Sequence, residues 1–231
     1  MDRVPGPPIL FAFDANGTLF DDTHQFFASL NEIFAAFGKE RRSEAWLRQH
    51  FMTGAGETWT SIYKSAGIAA PDEELYAMYN LAYQGQLDAR PPALAAGLGM
   101  AVRWLHDHGH AAIVISTQDN AITEPLLERA GLRDYFIELH GKVSDKDTVL
   151  LSARKRFHIS AQGAFMIGDQ ISDGMLAANA GVKFLHREGG VHSRAQVTAA
   201  LGHPVESIRN FRALPGLVLG PDSPGVARGL S

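Results

Sequence analysis

Cysteine is absent from all 231 residues, and that single absence removes several kinds of chemistry. It excludes a disulfide framework of the kind that staples small secreted domains, a thiolate zinc site and a cysteine nucleophile. Long apolar runs are lacking too. None approaches the roughly 20 residues needed to span a bilayer, so no membrane-spanning protein is expected. Basic residues are not in excess, with 21 Lys and Arg against 25 Asp and Glu and a formal net charge of −4. Binding nucleic acid calls for a surplus of positive charge to neutralise phosphates, and no domain-wide surplus is available. Residues 1–8 lack the apolar centre of a secretion signal, because Gly6, Pro7 and Pro8 lead straight into a short strand-like run. The expectation is a soluble cytoplasmic protein with no membrane or nucleic-acid partner.

What the chain does have is 45% hydrophobic residues in an ordinary background. That suffices for one sizeable core, or for a core carrying a smaller inserted domain. No internal repeat or low-complexity tract interrupts it. Short apolar runs stand out instead: Ile9 to Phe13 ending at Asp14, Ala111 to Ile115 ending at Ser116, Ala164 to Ile167 ending at Gly168-Asp169, and a weaker one from Val182 to Leu185. Runs without polar alternation predict strands buried on both faces, as in a parallel sheet covered by helices. Helical patterns lie between them. Phe26, Leu30, Ile33, Phe34 and Phe37 form an apolar stripe that Gly38 ends, and 101–105 is a shorter helical stretch. Residues 147–157 gather Arg154, Lys155 and Arg156 at their end, as the helix dipole favours, and 173–180 closes on Gly181. The fold class is therefore α/β, a Rossmann-like parallel sheet with helices on both faces.

One spacing breaks the pattern. Nearly 100 residues separate the first run from the second, whereas a βαβ crossover takes a few tens. The excess, residues 21–92, is rich in helix formers and aromatics and ends at Arg90-Pro91-Pro92. It predicts a helical cap domain inserted into a core made of 1–20 and 93–231, leaving just after Asp14 and so sitting above that residue. The tail after Pro215, rich in Gly and Pro, is expected to fray.

The chemistry-bearing residues share one position, just past the carboxyl end of a buried strand, where ligands bind in open α/β sheets. Asp14 follows the first strand, Ser116 the second, Asp169 and Asp173 the third, and Lys146 opens the helix before that third strand. Several acids with a lysine and a hydroxyl suit a phosphate bridged by Mg²⁺, which prefers hard oxygen ligands. Plainer readings stand beside this one. Asp14 can be a turn residue, and Asp173 a helix cap. Lys142 lies near Lys146, which is preferred because a helix begins there, and Thr117 is close enough to Ser116 to confuse the register. His106, His108 and His110 fit a helix end better than a metal site, and the aromatics of 21–92 fit packing better than substrate contact. Gly189-Gly190 carries no nucleotide-binding fingerprint.

Four of these segments, in order, resemble the motifs of the haloacid-dehalogenase-like hydrolase superfamily, in its phosphoglycolate-phosphatase-like branch with a helical cap. Asp14-Ala15-Asn16-Gly17-Thr18-Leu19-Phe20-Asp21 resembles the first motif, DxDGTLxD. Ile113-Val114-Ile115-Ser116 is similar to the second, and Lys146-Asp147-Thr148-Val149-Leu150 to the third. Gly168-Asp169-Gln170-Ile171-Ser172-Asp173 is similar to the fourth, GDxxxD. The resemblance implies that Asp14 attacks phosphorus and also binds Mg²⁺, and that the backbone carbonyl of Asn16 is a second ligand. It implies that Thr18 orients Asp14, that Ser116 holds phosphoryl oxygens and that Lys146 neutralises nucleophile and phosphate. Asp169 would bind Mg²⁺, and Asp173 would bind it directly or position a water on it.

The departure from the pattern is Asn16. Phosphatases of this family have an aspartate there, which protonates the leaving alcohol and then activates water. An amide donates a hydrogen bond but relays no proton, and general acid–base help is worth about 10²–10⁴-fold. The expected function is a Mg²⁺-dependent hydrolase of a small phosphorylated metabolite through an aspartyl-phosphate, slowed by Asn16, in a monomer or homodimer. The alternatives are a phosphate-binding pseudo-phosphatase, or a hydrolase of carbon–halogen or carbon–phosphorus bonds. The superfamily's phosphonate branch uses a cap lysine, for which residues 21–92 offer only Lys39 and Lys64. The Asp169/Asp173 pair favours phosphate chemistry over dehalogenation.

Overall fold

The computed structural model describes residues 7–52 and 57–219, so the expectations above for residues 1–6 and for the tail from 220 onward lie outside it. The chain divides into two compact units, Met1–Phe20 with Leu94–Ser231, and Asp21–Ala93.

The unit Asp21–Ala93 is helical, with α1 (Thr23–Ala36), α2 (Glu44–His50), α3 (Ser61–Ser65) and α4 (Asp72–Ala89). Its core follows from the stripe on α1. Phe26, Phe27, Leu30, Ile33 and Phe34 are buried there, against Leu75, Tyr79, Tyr83 and Leu87 of α4. The aromatics are packing residues. Tyr79 stacks on Tyr83 with ring centres 5.5 Å apart, and Trp59 meets Tyr63 at 6.0 Å and Tyr79 at 5.8 Å. The buried hydroxyls are satisfied: Tyr63 donates to the Leu30 carbonyl and Tyr83 to the Asp22 carboxylate. Lys64 pairs with Asp72 at 3.0 Å on the surface.

The other unit is built on a six-stranded parallel sheet. Two-residue strands, β2 (Phe20–Asp21) and β3 (Ala93–Leu94), mark where the chain passes between the units. The sheet consists of β1 (Leu10–Phe13), β4 (Ala111–Ile115), β5 (Glu138–His140), β6 (Ala164–Gly168), β7 (Lys183–Arg187) and β8 (Glu206–Ile208), in the order β5-β4-β1-β6-β7-β8. The remaining helices are α5 (Leu98–Asp107), α6 (Asn120–Arg129), α7 (Lys146–Arg156), α8 (Ile171–Ala180), α9 (Arg194–Leu201) and α10 (Leu214–Leu219).

The unalternating apolar runs are explained by two separate cores. Successive side chains of a strand point to opposite faces. Phe11, Phe13, Val114 and Ile167 pack with Leu98, Val102 and Leu105 of α5. Leu10, Ala12, Ile113 and Met166 pack on the other face with Leu150 of α7 and Leu176 and Ala177 of α8. Both faces of the central strands are thus covered by helices.

Some elements left weak traces in the sequence. β5 and β8 are three-residue edge strands with two polar residues of three, and α6 carries Pro125 in its middle. One expectation is corrected: the chain stays ordered past Pro215, in α10. A proline in the first turn costs no helical hydrogen bond, and Leu214, Leu217 and Val218 attach this turn to the core. Among the described residues no helix is long and apolar enough to cross a membrane.

Candidate active site

Strand register brings the candidate residues to one edge. Phe13 lies opposite Val114 on one side and Ile167 on the other. Asp14 therefore leaves β1 level with the last residues of β4 and β6, and its N–H donates to the Ile167 carbonyl at 2.9 Å. Ser116 and Asp169 follow immediately on either side. The strand order reverses around β1, with β4 and β5 laid down on one side and β6 to β8 on the other. Such a switch point opens a crevice for ligands.

Asp14, Asp169 and Asp173 are all buried there, and one carboxylate oxygen of each lies within 4.8 Å of the others. Lys146, the first residue of α7, places its Nζ 2.9 Å from Asp14 Oδ1 and 3.3 Å from Asp173 Oδ1. Lys142 points elsewhere and pairs with Asp119 at 2.6 Å. Lys146, the lysine preferred because a helix begins there, is thus the one beside Asp14, and Lys142 is not. Burial works against the Lys146 ammonium, but the Asp14 and Asp173 carboxylates outweigh it and hold the lysine above its ordinary range. Burial pushes Asp169 well above the usual carboxylate range, helped by the charges of Asp173 and Asp14. Asp173 is pushed up to about 6 by burial, against the pull of Lys146. Asp173 also performs the plainer role: its Oδ2 accepts from the Gln170 N–H at 3.1 Å and closes a capping box on α8. The two roles share one side chain.

A raised Asp173 means that the native protein holds a proton which the unfolded chain has already lost between about pH 4 and 6. This group therefore lowers metal-free stability as pH rises through that window. Relative to wild type, Asp173→Asn is expected to gain melting temperature from pH 4.5 to 7, followed by calorimetry without metal. A difference between the two proteins that does not change with pH would refute the assignment.

The neighbours of Asp169 are close. Thr18 Oγ1 donates to Asp169 Oδ1 at 3.0 Å, so its single hydroxyl proton goes to that carboxylate rather than to Asp14. The Val191 N–H donates to Asp169 Oδ2 at 2.6 Å. Backbone approaches so closely on both sides that only glycine fits. A Cβ on Gly17 or on Gly190 would stand 2.4 or 2.2 Å from Asp169 Oδ2, and Gly17 has φ +71° besides. Nothing in the sequence marks Val191, and Gly190 stands out only as part of a glycine pair. The Gly189-Gly190 pair has no nucleotide fingerprint but has this local use. The Ser116 hydroxyl accepts from the Gln118 N–H at 3.1 Å, which leaves its own proton to give to a ligand. Asn16 is half-buried in the turn after Asp14, its backbone bridged to Phe20. The histidines of the 106–110 cluster have other partners: His106 meets Tyr135, His108 stacks on Trp104, and His110 accepts from the Ile9 N–H.

A parallel α/β sheet with a buried acid cluster and a lysine at its switch point defines a class of hydrolase, and comparison with known proteins agrees. The sequence model of the haloacid dehalogenase-like hydrolase family matches residues 9–186, and the chain belongs to that family. It is similar to the phosphoglycolate phosphatase of Nitrosococcus oceani, 26% identical over 174 residues covering 72% of this chain and 77% of the relative. It is also similar to the phosphoglycolate phosphatase of Pseudomonas fluorescens, 24% identical over 221 residues covering 90% and 79%. A solved structure, a predicted phosphatase from Clostridium acetobutylicum, matches with a TM-score of 0.71 at 20% identity, covering 93% of this chain and 99% of that one. The likeness concerns the fold.

Proposed function

We propose that this chain is a phosphatase-type hydrolase of a small phosphorylated metabolite, acting through an aspartyl-phosphate on Asp14 with Mg²⁺ as cofactor. The observation that carries the reading is the buried cluster of Asp14, Asp169 and Asp173 with Lys146. When all four are ionised they leave two negative charges in excess, away from water. Uncompensated buried charge is costly, and a divalent cation with hard oxygen ligands removes that cost. Asp14, Asp169 and the Asn16 carbonyl would hold the ion, with Asp173 beside it. Bound there, Mg²⁺ supplies charge stabilisation to the transferring phosphoryl group.

The chain's own residues divide the remaining work. Asp14 attacks phosphorus, forming an O–P bond as the bond to the leaving alcohol breaks. Lys146 lies 2.9 Å from the Asp14 carboxylate and, with the Ser116 hydroxyl, meets the negative phosphoryl oxygens. Water then cleaves the acyl phosphate and restores Asp14. Asn16 stands where both steps want a proton relay, and its amide has none to offer. Residues 21–92 serve in this reading as the helical cap domain that selects the substrate. Phosphoglycolate, named for both relatives, heads the substrate panel, and a soluble metabolite fits a cytoplasmic enzyme acting as a monomer or homodimer.

The test is a panel of small phosphate esters with and without Mg²⁺, run beside Asp14→Asn and Asp169→Asn. Independently of turnover, Mg²⁺ at roughly 100 times its Kd is expected to raise the melting temperature by about 5–10 °C. Asp169→Asn should raise the metal-free melting temperature and abolish that response. A wild-type protein indifferent to Mg²⁺ in both assays would end the reading. A second reading, a pseudo-phosphatase that binds phosphate and turns it over poorly, is favoured by Asn16 alone. Tight binding of phosphate without turnover of any ester would select it.

A further inference from the structure

Asp169 is gripped by the segment that follows β7, and the strand and this segment each carry a buried histidine the chemistry above does not use. His186 ends level with Gly168 across the β6–β7 pairing and is fully buried. Its Nε2 lies 3.1 Å from the His192 carbonyl oxygen. A carbonyl only accepts, so Nε2 carries the proton and donates. Its Nδ1 has no hydrogen-bond partner among the described residues, and burial favours the neutral ring. His192, also buried, makes two further bonds. Its N–H donates to the Asp169 carbonyl at 3.3 Å, and its Nδ1 accepts from the N–H of Ile171 at 3.1 Å, at the start of α8. The intervening Val191 N–H is the donor to Asp169 Oδ2. The His186 ring thus tethers residue 192, whose own N–H bonds the Asp169 carbonyl and whose neighbour Val191 bonds the Asp169 carboxylate.

We propose that His186 and His192 are positioning residues that hold the segment 190–192 against Asp169 and so aim its carboxylate at the divalent ion. The proposal rests on the metal reading above. With Thr18 on Oδ1 and Val191 on Oδ2, each oxygen keeps a further lone pair, and the direction of those lone pairs is set by the two donors. Loss of the His186 donor removes one of the hydrogen bonds that fix residue 192 and so loosens the neighbouring Val191 N–H. A group that orients a metal ligand in this way typically contributes about 10–100-fold to metal affinity.

The experiment is calorimetric titration of the metal-free full chain with Mn²⁺, for wild type, Asp169→Asn, His186→Leu, His186→Gln and Gly190→Ala, each first checked for a cooperative melt. His186→Leu is expected to weaken Mn²⁺ by about 10-fold or more. Gln keeps an N–H donor near the Nε2 position and should return affinity to within about threefold of wild type. Gly190→Ala leaves both histidines in place but puts a methyl 2.2 Å from Asp169 Oδ2, and should weaken Mn²⁺ likewise. Turnover of the Leu variant should recover when Mn²⁺ is raised, with KM for the ester unchanged. Wild-type affinity in a folded His186→Leu protein, or equal loss in the Leu and Gln variants, overturns the proposal. Should His186→Leu fail to fold, normal Mn²⁺ affinity in Gly190→Ala overturns it instead. If wild type binds no Mn²⁺, or Asp169→Asn binds it equally well, the metal reading falls and takes this proposal with it.

Discussion

Asn16→Asp is expected to raise turnover of a phosphate monoester by about 10²-fold or more, within the range of general acid–base catalysis. The electrostatic parts are already in place, with Lys146 Nζ 2.9 Å from Asp14 and Ser116 at the neighbouring strand end. Attack on an ester with a good leaving group therefore needs little from residue 16. Protonation of a poor leaving group, and activation of water against the acyl phosphate, need a carboxylate. Wild type should accordingly react once and stall, leaving phosphate on Asp14 that intact-mass measurement detects, while Asn16→Asp should turn over. An Asn-Gly pair deamidates readily, so mass before and after the assay separates true Asn16 activity from that of converted chains. Fast turnover by protein verified as Asn16 would remove the acid–base role from this position. No gain in Asn16→Asp, with a haloacid or phosphonate consumed instead, would move the function to another branch of the family.

Lys146→Met is expected to lose about 10²–10³ in turnover, the scale of removing one donor aimed at developing negative charge. Its effect on stability is opposite in sign to that of Asp173→Asn. Methionine has nearly the same length and no charge, so three buried carboxylates are left facing one another. Breaking a buried ion pair by removing one partner costs about 3–5 kcal/mol. Part of that cost disappears in acid, because Asp169 and Asp173 are already pushed upward and take protons. Urea unfolding without metal should show a large deficit for Lys146→Met at pH 8 and a smaller one at pH 5. Lys142→Met is the control. That lysine lies on the surface with Asp119, and its loss should leave turnover and stability near wild type. Equal effects of the two substitutions would mean that the lysine at the site is misassigned.

Much of this site was legible in the chain because strands buried on both faces leave continuous apolar runs, and because the reactive residues stand at their ends. Asp14, Ser116 and Asp169 stood out by that position, and it was the resemblance of four motifs in order that made them site candidates rather than turn or cap residues. The sequence favoured Lys146 over Lys142, four positions earlier, only because a helix begins there; what each ammonium reaches, Asp14 or Asp119, is a matter of tertiary distance. The sequence also could not place the Thr18 hydroxyl, whose proton goes to a carboxylate 151 positions away. Edge strands β5 and β8 were hidden because three half-polar residues carry no period. The grip of Gly190, Val191 and His192 on Asp169 was hidden for a different reason. It is made largely by backbone N–H groups, which have no letter in the sequence. The Gly189-Gly190 pair does have one, but its local pattern names no partner. By itself the sequence determined the α/β class, the strand ends that matter and the substitution at residue 16, because these are local properties of pattern and residue type. The tertiary structure decided which carboxylates share a site, which lysine answers them and what holds them in place, because each depends on distances between segments far apart in the chain.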